Sequence, residues 1–143
     1  MDGSAPQQQG FRIVVVEDDN NLALLLRYNL EARAHDVRWF ADGTAAWIGL
    51  CVEPPDAVIL DWGLPGLAGI EILRRMRMCE SLRAVPVLML TGRCHPEDRQ
   101  RALQTGANAF LAKPFSIREV IDALHQMTAR SESEHLSELA GAL

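Results

Sequence analysis

A chain of 143 residues, 48% hydrophobic and 23% charged, has the size and balance of one compact globular domain. Its formal net charge of −5 argues against a broad nucleic-acid-binding face, and no apolar run approaches the roughly 20 residues that span a bilayer. Three cysteines (Cys51, Cys79, Cys94) lie far apart without metal-type spacing, which suits reduced thiols in a cytoplasmic protein.

Residues 1–10 (MDGSAPQQQG) are polar and lack the basic and apolar stretches of a signal peptide, so they read as a flexible leader before a domain over 11–128. Arg12 to Glu17 (RIVVVE) is an unbroken β-branched run, the pattern of a strand buried on both faces. Asp18 to Asn21 then offers capping groups for a helix expected to turn Leu22, Leu25, Leu26 and Leu30 to one side. Val37 to Phe40 is a short strand. Asp42-Gly43 turns into a helix over Thr44 to Leu50, stopped by Pro54-Pro55. Asp56 to Asp61 (DAVILD) is the third strand, followed by the loop WGLPGLAG and a helix spaced on Ile70, Leu73 and Met76/Arg77. Pro86 to Thr91 is the fourth strand, and Pro96-Glu97-Asp98 opens a helix that Gly106 ends. Asn108 to Ala112 is the fifth. Ser116 and Glu119 then form a capping-box pattern before a helix that faces Val120, Ile121, Leu124 and Met127 inward.

Five strands alternating with five helices predict an α/β domain: a doubly wound parallel (βα)5 sheet, with the flavodoxin-like order 2-1-3-4-5 as one common solution. Ligands of such sheets bind at the carboxyl ends of the strands. There the sequence places Glu17, Asp18 and Asp19, then Asp61, Thr91 and Lys113, where each apolar run gives way to polar residues. Taken singly these residues are ordinary. Asp19 and Asn20 read chiefly as helix caps, Asp61 as a turn residue, Thr91 as a cap and Lys113 as a solvated lysine. Their conjunction points to a site for a metal or a phosphate. Converging carboxylates repel unless a cation lies among them, and oxygen-only donors suit Mg²⁺ or Ca²⁺, with a partly hydrated Mg²⁺ preferred in a shallow site. A lysine and a hydroxyl beside them could hold a phosphoryl group.

The segments VVVEDD (14–19), VILDWGLPGLAG (58–69), VLMLTG (87–92) and LAKPF (111–115) resemble, in order, the signatures of the CheY-like receiver domain of two-component response regulators. The style of WGLPG and KPF resembles receivers of the OmpR/PhoB type. The resemblance covers about residues 11 to 128. It implies that Asp61 is a phosphoacceptor for a histidine kinase or histidine phosphotransfer protein. It also implies Mg²⁺ held by Glu17, Asp18, Asp61 and the Gly63 carbonyl, with Lys113 and Thr91 binding phosphoryl oxygens and Phe110 as an aromatic switch. The Lys113-Pro114 bond is expected to be cis. Such a domain is a signalling switch that catalyses its own phosphorylation and dephosphorylation, not an enzyme in the usual sense. Its helix-four, strand-five, helix-five surface is read by a downstream protein or a linked output domain. Direct binding to nucleic acid or membrane is not expected.

Two departures bear on a homodimer. The family's acidic pair and last-helix arginine are replaced by Asn108-Ala109 and Ala123, leaving Arg99 and Glu119 as partial substitutes. After residue 128, positions 129–143 are a frayed tail, a weak amphipathic helix on Leu136, Leu139, Ala140 and Leu143, or the start of a linker. Trp39, Trp47 and Trp62 read as packing residues, and the four histidines are scattered. Other readings are a phosphorylation-independent interaction module and a flavodoxin-like cofactor binder. The acidic crevice, hostile to a flavin phosphate, disfavours the second.

Overall fold

The computed structural model describes residues 10–92 and 95–141, with side chains to residue 129. The leader, Cys94 and the apolar positions proposed near 136–143 therefore lie outside the described side chains, apart from Gly10. The elements in chain order are β1 (Arg12–Val16), α1 (Asn20–Glu31), β2 (Asp36–Phe40), α2 (Gly43–Val52), β3 (Ala57–Asp61), α3 (Gly69–Met78), β4 (Val87–Thr91), α4 (Pro96–Thr105), β5 (Ala109–Ala112) and α5 (Ile117–Gly141). All strand pairs are parallel, in the order β2-β1-β3-β4-β5. This is the flavodoxin-like doubly wound fold.

Strand alternation divides the core into two layers. Val14, Val16, Val58, Leu60, Val87 and Met89 face α2, α3 and α4, whereas Ile13, Val15, Ile59, Leu88 and Leu90 face α1 and α5. Each large aliphatic side chain buried in this way contributes roughly 1.5–3 kcal/mol, and strands and helices share the two layers. Their ends project polar residues past the layers into one crevice.

The caps follow the sequence closely. Asp19 Oδ1 accepts from the amides of Asn21 and Leu22, and Asp42 Oδ1 from Ala45. Ser116 and Glu119 form the reciprocal capping box, at 3.1 Å in each direction. Val120, Ile121, Leu124 and Met127 are all buried. The expected inward face of α1 needs correction. Ala23, Leu26 and Leu30 are buried, whereas Leu25 is 49% exposed. An i, i+3, i+7 stripe containing alanine brings the helix closer to the sheet than an all-leucine stripe would. In α3, Ile72 joins Leu73 and Met76 in the core while Ile70 is only half-buried. The last helix continues without a break from the domain through to Gly141. No helix among the described residues is long and apolar enough to cross a membrane.

Candidate functional site

Four strands deliver the site, because each parallel strand stops at the same edge of the sheet. β1 leads directly into Glu17 and Asp18, β3 ends on Asp61, β4 on Thr91, and β5 leads to Lys113. Backbone bonds fix these ends: the Glu17 amide donates to the Phe40 carbonyl at 3.1 Å, and the Lys113 amide to the Thr91 carbonyl at 2.7 Å. α3 starts hard against the same edge. A Cβ at Gly69 would lie 2.1 Å from the Asp61 carbonyl oxygen, so only glycine permits this approach.

Glu17 and Asp61 are buried, at 1% and 5% exposure, while Asp18 is exposed at the mouth. One carboxylate oxygen from each can come within 4.8 Å of the others. The Lys113 ammonium bridges the two buried acids, 3.1 Å from Asp61 Oδ2 and 3.2 Å from each Glu17 oxygen. Asp61 Oδ1 accepts the Gly63 amide at 3.2 Å, and Glu17 Oε1 accepts that of Asp19 at 3.2 Å. Thr91 is buried next to Asp61, on the adjoining strand. Glu17, Asp18, Asp61 and Lys113 are thus brought together with Thr91 on the strand beside Asp61, whereas the Asp19 side chain caps α1. Phe110 stands apart from the acids: it is half-buried on β5, packed against the layer under α2, α3 and α4. The Lys113-Pro114 peptide is cis.

The electrostatics are unbalanced. Burial pushes Glu17 up to about 7, the neighbouring Asp61 charge adds to this, and Lys113 offsets part of it. Burial alone would lower Lys113, but its hydrogen bond to Asp61 and the charges of Asp61 and Glu17 raise it above the ordinary lysine value. Three carboxylates face one ammonium, so the crevice retains a surplus of negative charge. Its donors are all hard oxygens, the set that suits a small divalent cation.

Two contributions escaped the sequence reading. Trp39, assigned to packing, also donates its indole N–H to the Glu17 carbonyl at 2.8 Å, tying β2 to the end of β1. Trp62, next to Asp61, is buried, and the Arg101 guanidinium of α4 lies 5.9 Å over its ring. Indole N–H groups seek partners when buried, which was the available hint for Trp39. The residues considered for a dimer are partly occupied. Asn108 Oδ1 accepts from Arg77 and from the Val87 amide, and Glu119 serves the capping box.

Residues 13–125 match the family model of the response regulator receiver domain. The chain is 44% identical over 128 residues to the phosphate regulon transcriptional regulatory protein PhoB of Rhizobium meliloti, covering 90% of this chain and 56% of that protein. It is 38% identical over 121 residues to the alkaline phosphatase synthesis transcriptional regulatory protein PhoP of Bacillus subtilis, covering 85% and 50%. The chain therefore spans about half the length of these relatives. Among solved structures, the receiver domain of a sensor histidine kinase from Pseudomonas aeruginosa superposes with a TM-score of 0.77 at 32% identity, covering 84% of this chain and 98% of that one. That structure carries a magnesium ion coordinated in its active site cleft. A response regulator from Chloroflexus aurantiacus gives 0.80 at 30% identity, covering 85% and 99%. With these matches and the crevice at its strand ends, the chain belongs to the response regulator receiver domain family.

Proposed function

We propose that Asp61 accepts a phosphoryl group from a phosphohistidine on a histidine kinase or phosphotransfer protein. The observation that carries this reading is the Lys113 bridge between Glu17 and Asp61, which leaves a buried carboxylate beside a cation and surplus acid. An Asp61 carboxylate oxygen attacks phosphorus, the new O–P bond forms as the P–N bond breaks, and the departing imidazole nitrogen takes up a proton. Lys113 follows the charge from the Asp61 carboxylate to a phosphoryl oxygen, and the Thr91 hydroxyl donates to another. Glu17, Asp18, Asp61 and the Gly63 carbonyl would hold Mg²⁺, which when bound neutralises charge on the transferring group.

Phosphorylation then biases a two-state equilibrium in which Thr91 and Phe110 reposition the α4, β5 and α5 surface. A downstream protein or a linked output domain reads that surface, with a homodimer as one readout. The test is Mg²⁺-dependent incorporation of phosphate from acetyl phosphate or phosphoramidate, stable to acid and labile to alkali. Wild type should label and Asp61→Asn should not; equal labelling of the two would overturn the reading. An interaction module independent of phosphorylation would instead show no spectral change around α4 with beryllofluoride and Mg²⁺.

A further inference from the structure

The two ends of α4 are held very differently. Along its ten residues only Ala102 is fully buried, and Leu103 is 41% exposed. At the N-terminal end His95 supplies no side-chain capping bond. Apart from Ala102 and the Arg101 guanidinium over the Trp62 ring, little of the helix body is fixed to the sheet.

The C-terminal end is clamped from α3. The Arg77 guanidinium donates Nε and Nη2 to the Gly106 carbonyl at 3.0 and 2.8 Å, and Nη2 also to Asn108 Oδ1 at 3.1 Å. Its Nη1 reaches the Val85 carbonyl at 2.8 Å and those of Leu82 and Arg83 at 3.3 and 3.2 Å. Asn108 Oδ1 in turn accepts the Val87 amide at 2.9 Å, locking the turn after α4 to the start of β4. Gly106 has φ +120°, and a Cβ there would lie 2.7 Å from Arg77 Nε, so the turn is built for this clamp. One planar fork thereby joins the end of α4 to the α3–β4 connection.

We infer that Arg77 makes Gly106 the hinge of α4, so that the helix tilts about its C-terminal end rather than sliding along the sheet. Pro96 lies about 15 Å from that pivot along the helix and Ala102 about 6 Å, so a small rotation moves the first turn most. Use of the hinge in signalling rests on the phosphorylation switch proposed above; the hinge itself does not. Arg77 is a positioning residue and touches no group of the acidic crevice.

Amide hydrogen exchange on the full 143-residue chain, with and without Mg²⁺ and beryllofluoride, tests this by NMR. Over Gln100 to Asn108, protection should rise toward Ala107 and Asn108. Beryllofluoride should alter exchange before Ala102 and leave Ala107 and Asn108 within about twofold. In Arg77→Gln those two amides should exchange about tenfold faster or more, and the beryllofluoride effect should extend to Gly106. Arg77→Lys, with a point donor in place of a fork, should fall between, and it decides the matter if the glutamine variant does not fold. Protection falling toward Asn108, or unaltered Ala107 and Asn108 exchange in the folded variants, would overturn the hinge. A wild type with no beryllofluoride response would sink the phosphorylation reading, while the protection gradient and the variants would still judge the hinge.

Discussion

Two regions of this domain bury charge, and they do so by opposite means. At the strand ends, Glu17 and Asp61 share the ammonium of Lys113, and acid remains in surplus. Under the end of α4, the Arg77 guanidinium meets no carboxylate among the described residues and is solvated by backbone carbonyls and the Asn108 amide. Burial lowers Arg77 from its ordinary value, whereas it pushes Glu17 up to about 7. The carbonyl nest satisfies its cation completely and so has no capacity left for a ligand. The acidic crevice is left incomplete, and the missing positive charge is what a bound cation would supply. A buried charge that is fully solvated is structural; one left unbalanced is a candidate for function.

The carbonyl nest depends on Arg77 alone for its side-chain donors among the described residues. Arg77→Met should leave several partly buried carbonyls without a side-chain donor and lower stability by about 3 kcal/mol in urea unfolding. A loss under about 0.5 kcal/mol would mean that water replaces the fork without penalty.

Glu17→Gln should do the reverse. Removing one acid from the surplus should stabilise the metal-free domain by on the order of 1 kcal/mol at pH 8 and weaken Mg²⁺ binding about tenfold. Titration calorimetry with unchanged affinity would remove Glu17 from the ligand set. The same residue sets a pH dependence. A carboxyl raised from 4.5 to about 7 binds more protons folded than unfolded, so metal-free stability should fall as pH rises from about 4.5 to 7. Saturating Mg²⁺ or Glu17→Gln should flatten that slope.

His35 provides the smallest effect, with the opposite sign. Its Nδ1 accepts the Phe11 amide at 3.0 Å and its ring stacks on Phe11, while burial, followed by the charges of His125 and Arg33, lowers it below 6.5. The unfolded chain then binds more protons, so this contribution is present above 6.5 and lost as pH falls. In a Glu17→Gln background, His35→Phe should keep the stack and abolish the residual acid-side loss, a change under about 1 kcal/mol. A persisting slope would assign it elsewhere.

Strands ending together force Glu17, Asp61, Thr91 and Lys113 into one crevice whatever the loops do, so the site was legible from apolar runs that stop on polar residues. Caps such as Asp19, Asp42 and Ser116 were legible because their partners lie within three residues. Arg77 read only as a helix position beside Met76. Its acceptors at Gly106 and Asn108 lie 29 and 31 residues away, and carbonyl directions in turns leave no sequence signal. The exposed Leu25 shows a further limit: among crowded leucines, the small Ala23 decided which face of α1 meets the sheet.

The role proposed for the surplus acid is to hold the cation that lets Asp61 carry a phosphoryl group. Borohydride trapping tests it most directly, since an aspartyl phosphate is reduced to homoserine at the residue that bore it. After incubation with phosphoramidate and Mg²⁺, peptide sequencing should find homoserine at position 61 alone. Homoserine at position 18 would place the phosphoryl group on another carboxylate, and none at any aspartate would mean that Asp61 does not accept it.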